Sequence, residues 1–169
     1  MIESGSKDTI EGIFERAIGF ENKAASVYKE FSRLFSHNQE ISSFWQELAK
    51  DEIQHAETLH NIRKSLTSEE LLSPCDKEMS IKADITQTML NEVSIASIMN
   101  LDDAYELAHE LEFSEVNSIF LLLTSEFIHS QEQEQFIFSE ITEHQQKLVD
   151  FTHNFGDRDW RKGISIHAV

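Results

Sequence analysis

Glu52 and His55 stand three residues apart in Asp51-Glu52-Ile53-Gln54-His55, within an amphipathic helical pattern whose other inward positions are apolar. A carboxylate on the core face of a helix is costly unless it is neutral, ion-paired or bound to metal. Residues three apart share a helix face, so an oxygen and an imidazole nitrogen reach the same ion. The spacing therefore favours metal. Glu21, Glu112 and His144 bring the same chemistry to inward positions of three other stripes.

Apolar periodicity names the elements that must carry these residues. Ile10, Ile13, Phe14, Ala17, Ala24, Ala25, Tyr28, Phe31 and Phe35 mark one face of a first helix, with Glu21 in line. Ile41, Phe44, Trp45, Leu48, Leu59 and Ile62 mark a second, and Glu52 and His55 fill its central gap. A third runs through Leu101, Tyr105, Ala108, Val116, Ile119, Leu123 and Phe127, with Glu112 between Ala108 and Val116. The fourth follows Ile137, Ile141, Leu148 and Phe151, with His144 in line. The predicted helices span 8–36, 39–66, 101–129 and 131–154, forming an all-α domain over 1–155. A crossover over 67–100 holds Pro74 and Cys75 and has room for a short extra helix between Asp84 and Met99. The tail 156–169 has no assigned structure, and its Trp160 no assigned place.

The two halves resemble each other. Ala17-Ile-Gly-Phe-Glu21 aligns with Ala108-His-Glu-Leu-Glu112, and Phe35-Ser-His-Asn-Gln-Glu40 with Phe127-Ile-His-Ser-Gln-Glu132, as in a duplicated helical hairpin. Asn38 and Ser130 are the expected N-caps of helices two and four, Ser130 forming a capping box with Gln133. Glu21 lies 17 residues before Asn38 and Glu52 lies 14 after it; Glu112 lies 18 before Ser130 and His144 lies 14 after it. Antiparallel packing thus brings all of them to one depth, within about one helical turn. Glu21, Glu52, His55, Glu112 and His144 converge on one buried cluster. Carboxylates and imidazoles suit iron, manganese or zinc, and paired glutamates bridge two ions roughly 3.5–4 Å apart. A dinuclear centre is the sharpest expectation.

Composition limits the alternatives. Within 169 residues, one proline and five glycines suit long helices better than a turn-rich β fold. Fourteen basic against 31 acidic residues give a net charge of −17, which repels nucleic acid and anionic membrane surfaces. The single cysteine, Cys75, forms neither an internal disulfide nor a Cys-x-x-Cys knuckle. Met1 to Asp8 lacks the basic and apolar regions of a signal peptide, and no apolar run spans a bilayer, so the cytoplasm is the expected place.

These motifs resemble the ferritin-like superfamily, specifically the rubrerythrin-type four-helix proteins. That plan places a Glu on each of two helices and a Glu-x-x-His on each of the other two. Glu21, Glu52 and His55 match its first half, with Tyr28 seven residues after the first Glu; Glu112 matches the third-helix Glu, with Phe120 two turns later. The resemblance covers 8–66 and 101–154 and implies an antiparallel four-helix bundle with a long crossover between two hairpins.

The fourth helix departs from the plan. Matching the caps sets His144 opposite Glu52 and Lys147 opposite His55; matching His144 to His55 sets Ile141 where a Glu belongs. Glu140, one turn before His144, can rotate in as a substitute metal ligand, whereas Glu143 faces solvent. Lys147 is either a snorkelling side chain or a cation that takes the place of one metal. Glu126-x-x-His129 reads as the end of helix three, since no Gly or Pro breaks the stripe before it. Tyr28 reads as a packing group, and His37, His60, His109, His129 and His153 as surface or helix-end residues.

The resemblance implies a non-haem iron oxidoreductase acting on peroxide or dioxygen, two ferrous ions each supplying one electron to split the O–O bond. With no rubredoxin-type cysteine pairs, it also implies an external electron donor, and it makes a homodimer an expected assembly. Two other readings stay open. One is an iron-binding or sequestering bundle without redox turnover; the other is a structural or partner-binding bundle without metal.

Overall fold

The computed structural model describes residues 8–166, apart from the side chains of Glu115 and Val116, so Val116 of the third stripe lies outside the described side chains. Met1–Lys7, on which most of the reading of the amino terminus rests, likewise lies outside the described residues. The chain is an all-α bundle built on α1 (Ile10–Leu34), α2 (Gln39–Ser65), α5 (Leu101–Glu112) continued by α6 (Glu115–Phe127), and α7 (Gln131–Asn154). The crossover carries α3 (Ser68–Leu72) and α4 (Lys77–Glu92), and the tail carries α8 (Arg158–Lys162).

The apolar stripes face one another. Ile13, Phe14, Tyr28, Phe31, Trp45, Leu48, Leu123, Leu148 and Phe151 are all buried. Cross-helix contacts give the directions. Phe14 meets Phe127 while Tyr28 meets Glu112, so α1 runs antiparallel to α5 and α6. Phe44 meets Phe151 while Gln54 meets Glu140, so α2 runs antiparallel to α7. Asn38 Oδ1 accepts from the Ile41 amide and Ser130 Oγ from the Gln133 amide, starting α2 and α7 as their caps predict. The capping box expected at Ser130 is present only in this one direction among the bonds seen, with Ser130 accepting.

Two expectations need correction. Helix three is not continuous over 101–129: it breaks at Phe113 and Ser114 without Gly or Pro. Side chains take over the carbonyls there. Asn117 Nδ2 and Gln145 Nε2 donate to the Glu112 oxygen at 2.6 and 3.1 Å, and Ser114 Oγ donates to the Leu111 oxygen. Such side-chain donors compete with the helical ladder and bend it.

The crossover helix lies earlier than 84–99, over Lys77–Glu92. Asp76 Oδ1 accepts from the Glu78 amide to start α4, and a complete capping box of Thr67 and Glu70 starts α3. Helix α4 packs along α1 and α6, and Arg16 of α1 ties it down through Asp84 at 2.7 Å.

The tail is ordered. Gly156 turns the chain with φ at 81°, a value open to glycine. Helix α8 then docks on α5 through Arg161, which reaches buried Asp102 at 2.9 Å and lies over the Tyr105 ring. Trp160 stays half exposed. Removing the inner cation of a buried pair strands its carboxylate, so Arg161→Ala should cost about 3 kcal/mol. Urea unfolding measures this; a loss below about 1 kcal/mol would mean that Arg158, the outer partner of Asp102, suffices alone.

Candidate metal centre

Midway along the bundle four helices contribute polar side chains to an otherwise apolar interior: Glu21 from α1, Glu52 and His55 from α2, Glu112 from α5 and His144 from α7. Each is at most 3% exposed. The sequence places them at one depth, and the structure brings them into one cluster. His55 Nδ1 lies 3.4 Å from Glu52 Oε2 and 3.8 Å from Glu21 Oε2. His144 Nε2 lies 2.7 Å from Glu52 Oε1 and 2.9 Å from Glu112 Oε2. The two imidazole rings meet edge to face with centroids 5.3 Å apart.

Two groups have the composition and closeness to hold an ion, Glu21 with Glu52 and His55, and Glu52 with Glu112 and His144. Glu52 belongs to both. Its carboxylate is therefore placed to join two ions, the geometry that a dinuclear centre needs. The donor atoms also fit a metal. Among the described residues, Glu21 Oε2, Glu52 Oε1, His55 Nδ1 and His144 Nε2 are all buried without a hydrogen-bond partner. His144 Nε2 and Glu52 Oε1 are close, yet they are not aligned as a hydrogen bond. Buried polar atoms left so are rare and costly, and a shared cation satisfies them together.

The surroundings orient these groups. Tyr28 donates its hydroxyl to Glu112 Oε1 while its ring stacks on Trp45, so it does more than the packing its position predicts. Asn117 Nδ2 reaches Glu112 Oε2 at 3.3 Å. Asp51 Oδ2 lies 2.9 Å from His144 Nδ1 and accepts from Lys147 Nζ at 2.6 Å. A carboxylate on one ring nitrogen fixes the imidazole and turns the other nitrogen toward the centre. Phe120 packs on the His55 ring at 4.9 Å.

Glu140 does not enter the cluster. It accepts from Gln54 at 2.8 Å and, with Asp51, Glu143 and Lys147, borders a cavity of about 70 Å³ that reaches His55 and His144 from outside. Glu126 and His129 are exposed at the end of α6 and beyond it, and His37, His60, His109 and His153 are exposed too. The roles of Asp51, Asn117 and Gln145 have no counterpart in the sequence reading. For Asp51 a signal exists: it directly precedes Glu52. Asn117 and Gln145 act on a helix break that no local pattern marks.

Without metal the charges settle on the histidines. Burial disfavours the His144 cation, but Glu112, Asp51 and Glu52 overcome it and push its pKa up to about 12. Burial likewise opposes the His55 cation, and Glu21 and Glu52 push it up to about 10. Burial raises Glu21 well above the usual carboxylate range, only partly offset by His55. Burial also acts to raise Glu52, but its contacts with His144 and His55 prevail and hold it low.

A sign follows for stability against pH. The histidine contribution is fully present below the ordinary value of 6.5 and is lost as pH rises through about 10 and about 12. Glu21, raised from 4.5, adds to the alkaline loss from that value upward. Glu52, lowered from 4.5, contributes above that value and loses its share on acidification. Denaturation of the metal-free protein should therefore show greatest resistance on the acid side of neutrality. A maximum above pH 8 would contradict this charge arrangement.

A family model described as Rubrerythrin matches residues 12–129. That span includes Glu21, Glu52, His55 and Glu112, and stops before His144. No curated protein and no solved structure matches the chain. Among the described residues, no helix is long and apolar enough to cross a membrane.

Proposed function

The chain belongs to the rubrerythrin family, and from that premise we propose that it is a non-haem metal oxidoreductase reducing peroxide or dioxygen. The observation that carries this reading is the pair of buried Glu and His groups sharing Glu52. Glu21, Glu52 and His55 would hold one ion, and Glu52, Glu112 and His144 the other. Iron fits both the donor set and the chemistry, while manganese and zinc share the donors. Bound iron would supply the electrons that divide the O–O bond.

The protein's own groups do the rest. Buried Tyr28 and Phe120 border the centre, and buried Trp45 and Phe31 pack on Tyr28, which limits the water that reaches it. Asp51 keeps the His144 Nε2 atom facing inward. Tyr28 holds Glu112 in place and keeps a hydroxyl proton at Glu112 Oε1. The small cavity past Gln54 and Glu143 is a route for a molecule the size of water or peroxide. Electrons come from an external donor, since one buried cysteine builds no rubredoxin-type centre in this chain.

One observation favours a second reading, iron binding without redox turnover: with His144 matched to His55, buried Ile141 stands where the family plan has a glutamate. Peroxide consumption separates the two. Protein loaded anaerobically with iron should consume hydrogen peroxide in step with oxidation of an added reductant, through many turnovers. Loss of about one peroxide per pair of bound ions, followed by arrest, would leave only the storage reading.

A further inference from the structure

We infer that the two metal positions load in order, the Glu21, Glu52 and His55 position first and tightly, the Glu52, Glu112 and His144 position second and weakly. The inference rests on the proposed metal-binding reading and concerns how this chain departs from its family's plan. That plan supplies four glutamates to two ions, so two divalent charges are balanced. Here the core supplies three, Glu21, Glu52 and Glu112. With neutral histidines, one divalent ion leaves a single negative charge among them, and two leave a single positive charge in a dry interior. The second ion therefore meets a burial cost that the first does not.

The nearest groups do not repair the deficit. Ile141 is apolar and buried. Glu140 is turned to Gln54. Asp51 touches the outer nitrogen of His144, but its charge is already matched by Lys147 Nζ at 2.6 Å. Lys147 thus uses up the one further carboxylate that touches His144.

Hydrogen bonding points the same way. The first position offers an ion the unpartnered atoms Glu21 Oε2 and His55 Nδ1, while unpartnered Glu52 Oε1 lies on the side of His144, 2.7 Å from its Nε2. The second position shares Glu52, and both oxygens of its own Glu112 already accept, one from Tyr28 and the other from Asn117. An ion there must share or displace those bonds, whereas Glu21 Oε2 meets an ion at the first position without such a partner.

The test titrates metal-free full-length chain with Co²⁺ without oxygen, following visible absorption against a competing chelator, with ions per chain counted by native mass spectrometry. The first equivalent should bind at least ~30-fold more tightly than the second, the scale on which a ligand's surroundings alter metal affinity. Glu112→Gln should abolish the second phase and spare the first. Lys147→Met, at a 40%-exposed side chain, frees Asp51 and should strengthen the second phase about tenfold while leaving the first unchanged. Two ions entering with equal affinity or in one cooperative step would overturn ordered loading and leave the metal reading standing. So would loss of the first ion in Glu112→Gln, or equal shifts of both phases in Lys147→Met. A parent chain that binds no Co²⁺ would overturn the metal reading and this inference with it.

Discussion

Stripping metal from the protein is expected to lower its melting temperature by on the order of 10 °C. Three carboxylates and two imidazoles packed within one interior raise the free energy of the metal-free fold, and a bound cation relieves that cost. Ligand bound to the folded state alone stabilises by about 4 kcal/mol when free metal exceeds its dissociation constant a thousandfold, and each kcal/mol moves a chain of this size by about 2–4 °C. Differential scanning calorimetry before and after chelation, at fixed pH, measures the shift. A structural bundle without metal would melt within ~1 °C in both states. The histidines set the pH at which the comparison is sharpest, because metal must displace the protons held by His55 and His144. The metal-induced gain should therefore grow from pH 6 to pH 8.

Much of the bundle is legible in the sequence because its helices are long, amphipathic and capped. The range 131–154 for α7 agrees with the structure to the residue, since Ser130 opens the helix and the glycine at 156 follows its end. The first two helices agree within two residues at each end. What escapes is structure made by distant partners. The break after Glu112 draws on Gln145, a donor 33 residues away, besides nearby Asn117, and the burial of Arg161 depends on Asp102, 59 residues away. The crossover is a different case. Its caps at Thr67 and Asp76 are ordinary local signals, masked by an apolar pattern too weak to frame them.

The candidate centre is legible for the same reason that it is costly. Glu21, Glu52, His55, Glu112 and His144 interrupt apolar stripes, and equal distances from two caps put them at one level. Glu140 shows the limit of that reasoning. It lies one turn from His144, but its helix presents it to Gln54 and the outer cavity rather than to the core. The orientation of Tyr28 also lies beyond periodicity, because a buried ring position does not say where its hydroxyl points.

Glu52 is the residue on which the whole arrangement depends. It contributes an oxygen to each candidate group, 3.4 Å from His55 on one side and 2.7 Å from His144 on the other. Without it each position keeps one glutamate and one histidine, too few to close a metal site, and the carboxylate shared by the two is gone. Metal affinity should fall more than ~100-fold at both positions, beyond the effect of altering a ligand's surroundings. The most direct measurement is elemental analysis of the parent chain and Glu52→Ala, both prepared without oxygen and equilibrated with excess ferrous iron before removal of free metal. The expected result is about two ions per parent chain, from the dinuclear plan, and almost none in the variant. Equal metal in the two proteins would contradict the assignment of this cluster as the centre.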